Sequence, residues 1–239
     1  MLLVARTQGH TVDEYLEAVY FLVSPIGEYR PDGGTAAIAS RVAELLGVSR
    51  AAVGEMLKRM EADGLLERGE NREVSLTPAG TERAEQVVRR HRIIERLLTD
   101  YLGYSPAEAH EHADALGSTF PDDMVERIHE RLGFPERCPH GWPVAPSDER
   151  AENGYLTTLA ELAEGDDCEI VRLAEHDGEL LQWFFDEGLI PGAELEVRDV
   201  RPAAGHRKVW VASHDGGEEG ERVIADKAAR NLLVRRSED

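Results

Sequence analysis

Residues 35–80, TAAIASRVAELLGVSRAAVGEMLKRMEADGLLERGENREVSLTPAG, restrict the fold more than any other stretch of the chain. Ile38, Val42, Leu45 and Leu46 recur at helical spacing, the GVS at 47–49 turns the chain, and Ser49 stands where it can cap a second helix. That helix turns Val53, Met56, Leu57 and Met60 inward and ends at Gly64. Two short helices joined by a glycine-containing turn predict a helix-turn-helix. Residues 65–80 then read as strand, polar tip, alternating strand and helix start, with Thr77 as cap and Pro78 in the first helical position. The sum is a winged helix, whose second helix enters the major groove of double-stranded DNA while the hairpin reaches the backbone. A small α+β core with no nucleic-acid role is the competing reading, and it leaves the order, spacing and caps as coincidence.

On the second helix the outward positions are Ser49, Arg50, Ala51, Ala52, Gly54 and Glu55, followed by Lys58 and Arg59. Small side chains allow close approach to base edges, and the cations pair with guanine or phosphate. Glu55 either accepts from a cytosine amino group or points away. Arg72, at the wing tip, is the candidate backbone or minor-groove contact. The net charge of −20, from 47 acidic against 27 basic residues, works against DNA binding, because phosphate neutralisation is the main sequence-independent source of affinity. The basic residues are nearly all arginine. Such a balance fits an acidic protein that never meets DNA, or a halophilic one, expected to be haloarchaeal, working in molar salt where screening lengths shrink to a few ångström. The second is favoured.

At 239 residues the chain has room for two or three small domains, each with a core. No apolar run approaches the length needed to cross a bilayer, and MLLVA is too short for a signal peptide, so the expected location is the cytoplasm, with no membrane partner. Upstream of the winged helix, residues 11–23 place Tyr15, Leu16, Val19, Tyr20 and Leu22 on a helical stripe, with Glu14 and Glu17 three apart on a neighbouring face. Downstream, 78–101 form a long helix with Ile93, Ile94, Leu97 and Leu98 as its buried face, and His91 and Glu95, four apart, point the same way. Helices are expected at 106–117 and 121–132, making with the long helix a dimerisation bundle. Residues 138–154 read as a Pro/Gly-rich linker, and Cys138 and Cys168 as ordinary buried thiols with no CxxC pairing. From about 155 short β-prone runs alternate with turns around one helix at 178–187, the pattern of a five-stranded SH3-like barrel. The expected fold is mainly α with a second, small β domain: winged helix-turn-helix at 1–77, helical metal-binding and dimerisation domain at 78–140, linker at 141–154, and SH3-like barrel at 155–239.

DEYLEAVYFL, SRAAVGEMLKRMEADGLL, LTPAG, RRHRIIERLLTDYLG, LGFPERCPHGWPV and ELLQWFFDEGLIPGAELEV, taken in order, resemble the long form of the diphtheria-toxin-repressor family of metal-dependent regulators. The last module is similar to ferrous-iron-transport accessory proteins. The resemblance implies a homodimer that binds palindromic operators with Mn(II) or Fe(II) as corepressor and controls iron or manganese homeostasis genes. It implies carboxylate ligands at Glu14 and Glu17, a His/Glu pair at His91 and Glu95, and ligands at His110 and Asp114. Asp177 or Glu179 is the candidate ligand lent by the barrel. His91 and Glu95 on one helix, and His110 and Asp114 on the next, converge when the helices pack, giving two imidazoles and two carboxylates suited to such ions.

The pattern then breaks, because Gly117 and Ser118 stand where the family continues with Glu-His. A hydroxyl is a weak partner for a divalent ion. A regulator that has lost metal control, binding DNA constitutively or answering through its barrel, is therefore the alternative. His112 lies on another side of its helix from His110 and reads as solvated; His140 and His176 are left open as ligands. An enzyme is not expected: there is no nucleophile elbow, no HExxH and no phosphate loop.

Overall fold

The computed structural model describes residues 10–23, 38–69, 74–117, 119–175, 177–214 and 217–237. The chain divides into two compact units, with the boundary inside one helix, between Val87 and Val88.

The first unit holds α1 (Val12–Val23), α2 (Ile38–Leu45), α3 (Arg50–Ala62), β1 (Leu66–Arg68), β2 (Val74–Leu76) and the first turns of α4 (Pro78–Leu102). Leu16, Val19, Val42, Val53, Leu57 and Met60 are buried, as the helical spacing requires, whereas Met56 is only half-buried. Ser49 caps α3, its hydroxyl accepting from the Ala52 amide at 3.1 Å. β1 and β2 pair antiparallel, with Leu66 opposite Leu76 and Arg68 opposite Val74. The wing tip, including Arg72, lies outside the described residues.

Thr77 ties the hairpin to α4. Its hydroxyl accepts from the Gly80 amide at 3.0 Å and donates to the Gly64 carbonyl at 2.6 Å. Gly80 has to be glycine, because a Cβ there would sit 1.9 Å from the Leu65 carbonyl oxygen, and no rotamer can move a backbone atom. Gly80→Ala gains about 1 kcal/mol of helix propensity but forces α4 off the hairpin. We expect a net loss of about 1–3 kcal/mol, read as a lower denaturant midpoint for the first unit.

The second unit contains the rest of α4, α5 (Pro106–Leu116), α6 (Asp122–Arg131) and α7 (Pro146–Glu152), followed by an antiparallel sheet with order β3-β8-β4-β5-β6-β7. Its strands are β3 (Thr157–Thr158), β4 (Asp167–Leu173), β5 (Glu194–Arg201), β6 (His206–Val211), β7 (Gly220–Ala225) and β8 (Leu232–Arg236), with α8 (Gly178–Asp186) and the short α9 (Asp226–Ala229) between them. Five strands were expected and the described residues form six, the additional one being β3, only two residues long and at the sheet edge. Ile170, Phe184, Val197, Val209, Ile224 and Val234 belong to the core of this domain.

Five consecutive residues of α4, His91 to Glu95, are buried. A helix buried over more than one full turn has neighbours around its whole circumference. Ile94 packs on Ala109 and Ala113 of α5, Ile93 on Val125 of α6 and on Val144, and Arg92 over the Trp142 ring at 5.5 Å. The 138–154 segment, linker-like in composition, is therefore packed. Trp142 is 2% exposed, and its indole nitrogen donates to the Leu173 carbonyl at 2.8 Å. Its Pro and Gly residues shape a close approach rather than a tether, and α7 follows directly.

Candidate metal centre

Four segments of the second unit bring ligand-type side chains together. Glu95 comes from α4, His110 and Asp114 from α5, Cys138 and His140 from the packed loop, and Glu175 from just beyond β4. The loop is pinned by backbone contacts. The Leu173 amide donates to the His140 carbonyl at 2.9 Å, and the Cys138 amide to the Trp142 carbonyl at 2.8 Å. Gly141 between them has φ +87°, and a Cβ there would fall 2.0 Å from the Val171 carbonyl oxygen. Only glycine lets the loop lie this close to β4, and that closeness carries His140 to Glu175.

One atom each from Glu95, Cys138, His140 and Glu175 lies within 4.8 Å of every other. His140 Nδ1 stands 3.1 Å from Glu175 Oε1 and 3.4 Å from Glu95 Oε1. Cys138 Sγ is 3.5 Å from Glu175 Oε1 and 3.8 Å from His140 Nδ1. Ligands bound at about 2.0–2.3 Å in a tetrahedral shell are separated by roughly 3.3–3.8 Å, close to the separations that His140 and Cys138 make with their neighbours here. His140 Nε2 meets the Pro106 carbonyl at 3.1 Å, the outer hydrogen bond that fixes a ligating imidazole. Glu95 Oε2 is buried with no hydrogen-bond partner. An ionised oxygen left so costs several kcal/mol in a protein interior, and a cation beside it would remove that cost. The residues present fit a divalent transition ion.

A second set borders the first. His91, His110 and Asp114 also place one donor atom each within 4.8 Å of one another. His91 Nδ1 lies 3.3 Å from Asp114 Oδ1, and His91 Nε2 is 3.1 Å from His110 Nδ1. Glu95 Oε1 touches this set too, 2.9 Å from His91 Nε2 and 2.8 Å from His110 Nδ1.

The electrostatics follow from burial and these neighbours. Burial pushes the Glu95 carboxyl up, but His140 and His91 beside it, with hydrogen bonds from His110 and His140, hold it well below the usual carboxylate range. Burial pulls His140 down, yet Glu95, Cys138 and Glu175 raise it well above an ordinary histidine. His110 is likewise lowered by burial and raised further by Glu95 and Asp114. Burial, with Glu95 and Glu175 adding to it, pushes the Cys138 thiol up to about 12.

The sequence-predicted residues distribute as follows. His91, Glu95, His110 and Asp114 do converge, but over two adjoining donor sets instead of one. Asp177 and Glu179 are exposed, and Asp177 is occupied as the N-cap of α8, accepting from the Leu180 amide at 3.1 Å. Glu14 and Glu17 are half-buried on α1 in the first unit; the Thr11 amide donates to Glu14 at 2.6 Å. Gly117 caps α5, and Ser118 and His176 lie outside the described residues. His112 is exposed, edge-on to Tyr104. Cys138, His140 and Glu175 are the donors that sequence reasoning left out of its ligand set. The signal that would have found the first two is CPHGW, where a thiol and an imidazole flank a proline ahead of a glycine and a tryptophan anchor.

On α3 the DNA-facing candidates Ser49, Arg50, Ala51, Ala52, Glu55, Lys58 and Arg59 are exposed, and Gly54 is half-buried. Lys58 pairs with Glu55 at 3.0 Å, so Glu55 is engaged along its own helix. Arg59 reaches Asp63 at 3.8 Å, while Arg50 has no ion pair among the described residues.

Comparison with known proteins accounts for this architecture. Family models described as the iron dependent repressor N-terminal DNA binding domain, the iron dependent repressor metal binding and dimerisation domain, and the FeoA domain match residues 9–74, 77–145 and 157–236. The iron-dependent repressor IdeR of Mycobacterium leprae is 32% identical over 86% of this chain and 90% of its own length. The diphtheria toxin repressor of Corynebacterium glutamicum is 30% identical over 78% of this chain and 83% of its own. Among solved structures, a manganese-dependent transcriptional repressor in complex with manganese superposes with a TM-score of 0.81 at 28% identity, over 95% of this chain and 100% of that one. ScaR with bound Zn2+ gives 0.74 at 26% identity, with the same coverage. A winged helix, a helical segment gathering metal-type donors and a small β domain thus occur here in the order of those proteins: the chain belongs to the iron-dependent repressor family of metal-dependent, DNA-binding transcriptional regulators.

Proposed function

We propose that the chain binds palindromic operator DNA as a homodimer, and that Mn(II) or Fe(II) held by Glu95, Cys138, His140 and Glu175 acts as corepressor of metal-homeostasis genes. The observation that carries this reading is the buried four-donor set around an otherwise unpartnered Glu95 oxygen. Bound there, the ion supplies positive charge and a fixed coordination geometry shared by several chain segments. Glu95 belongs to α4, whose first turns are part of the DNA-binding unit, so restraining Glu95 restrains the helix that carries the wing's anchor at Thr77 and Gly80. His140 and Glu175 couple the same point to the β domain. The homodimer draws on exposed apolar side chains at the end of α4 and on α6, among them Tyr101, Leu102 and Met124. On α3, Ala51 and Ala52 allow close approach to bases, and Arg50 supplies an uncommitted cation for phosphate or guanine.

The test is binding to the chain's own upstream DNA in molar KCl, titrated with Mn(II), Fe(II) and chelator. A rise of at least tenfold with one ion, about 1.4 kcal/mol of coupling, is expected. Equal affinity in chelator would leave a DNA-binding protein without metal control. Arg50→Ala is expected to weaken binding and to lower the slope of log affinity against log salt by about one if it contacts a phosphate.

A further inference from the structure

We infer that the DNA face of this chain exchanges ion partners with the phosphate backbone instead of releasing counterions, and that Glu55, Glu61 and Asp63 are the residues that set this behaviour. The inference rests on the reading of α3 as the DNA-facing helix and deepens it. From Arg50 to Arg68 the chain carries four cations, Arg50, Lys58, Arg59 and Arg68, and four carboxylates, Glu55, Glu61, Asp63 and Glu67, so the stretch has no net charge. Three of the cations are paired locally. Lys58 Nζ lies 3.0 Å from Glu55, Arg68 Nε 2.9 Å from Glu61 and Arg59 Nε 3.8 Å from Asp63. Helical spacing puts Glu55 and Lys58 on the stripe that begins at Ala51, and Arg59 and Asp63 on the stripe that begins at Ala52. The paired charges therefore follow directly from the small residues that let bases approach. They are open to solvent, with the Lys58 and Glu55 side chains 67% and 77% exposed, and a pair of that kind is weak enough for a phosphate to break.

The ion count decides what such pairing does. An unpaired cation that meets a phosphate sends about 0.9 of a counterion into bulk solution. A cation that leaves a carboxylate for a phosphate does not: the potassium ion that accompanied the phosphate takes its place beside the carboxylate. One protein–phosphate contact forms, and no ion reaches the bulk. The potassium ion needs no fixed site, only the local counterion atmosphere. Four free cations per protomer would give log affinity against log salt a slope of roughly −3.6 from this stretch, whereas Arg50 alone gives roughly −0.9. For a dimer, a tenfold rise in KCl then costs roughly sixtyfold in affinity instead of roughly ten-millionfold. The local carboxylates thus let a chain of net charge −20 hold DNA in molar salt. Glu55 acquires a role that needs no contact with a base.

The experiment is fluorescence anisotropy of the full chain on its own upstream DNA, with Mn(II) in constant excess, from about 0.2 to about 2 M KCl. Wild type is compared with Glu55→Gln, Glu61→Gln and Asp63→Asn. Glu164→Gln, at an exposed position of the β domain, is the control with the same change in net charge. Each of the first three variants is expected to steepen the slope by about one per protomer, binding more tightly than wild type at the lowest salt, while Glu164→Gln leaves the slope unchanged. A slope unchanged in all three variants, or steepened as much by Glu164→Gln, overturns partner exchange and leaves DNA binding intact. No binding by any form at any salt would instead overturn the reading of α3 on which the inference rests.

Discussion

Cys138→Ser and His140→Ala are each expected to remove most of the metal-stimulated DNA affinity while leaving affinity in chelator unchanged. Cys138 supplies the only sulfur in the buried set, and a serine hydroxyl is a poor substitute as a ligand. His140 touches Glu95, Glu175 and the Pro106 carbonyl, so its loss removes a ligand and the hydrogen bond that orients it. We expect each change to lower metal affinity at least tenfold, about 1.4 kcal/mol or more, measured by competition with a fluorescent chelator. A gel-shift series shows whether DNA affinity falls in parallel. Full metal-stimulated binding by both variants would rule this set out as the switch.

The largest effect on stability should come from Arg92. Its side chain is 1% exposed, forms an ion pair with the equally buried Glu149, donates to the Pro143 carbonyl at 2.7 Å and lies over Trp142. Burial pulls its guanidinium down, but Glu149, Glu175 and Cys138 raise it further, so it stays charged. Arg172 also lies over this ring, 4.9 Å from its centroid, and donates to Glu152 at 2.6 Å. The two guanidinium groups and Trp142 clamp α4, the 138–142 loop and β4 around the donor sets. Arg92→Ala leaves Glu149 buried without its partner and is expected to cost about 3–5 kcal/mol, a fall in melting temperature of roughly 6–20 °C. Arg92→Met combined with Glu149→Leu should recover most of that loss, because the cost lies in the uncompensated charge. An Arg92→Ala protein that melts within a degree or two of wild type would contradict this account of the clamp.

The parts of the chain that were legible in sequence are those whose physics is local. Ser49 and Thr77 cap their helices because a hydroxyl ahead of a helical run meets an amide three residues on, and the spacing of Val53, Leu57 and Met60 sets the buried face of α3. His91 with Glu95 and His110 with Asp114 were readable for the same reason, each pair lying one turn apart on a helix. Cys138, His140 and Glu175 were not. They come from a loop and a strand end 35 residues apart, brought together by the approach of Gly141 to Val171 and the indole bond of Trp142 to Leu173. In composition alone that loop is a linker. Choosing Asp177 over Glu175 has a cause in the same local chemistry: an aspartate directly ahead of a helix serves as its cap, which leaves the carboxylate two residues earlier to face inward.

The acidic surface was legible as a total but not as a distribution. Many carboxylates are matched to arginines, among them Arg89 with Glu126, Arg90 with Asp122 and Arg137 with Glu152. Surface pairs of this kind contribute little to stability individually, and they consume cations that a nucleic-acid face would otherwise use. Arg50 escapes such pairing among the described residues, and for that reason its loss should register in the salt dependence of DNA binding.

The central claim is that the buried set at Glu95 is where the regulatory ion sits, and anomalous diffraction at the manganese edge from crystals grown in Mn(II) tests it most directly. The account predicts a peak enclosed by Glu95, Cys138, His140 and Glu175, with sulfur among the ligands. A peak at Glu14 and Glu17, or at Asp177 and Glu179, with that set empty, would contradict it.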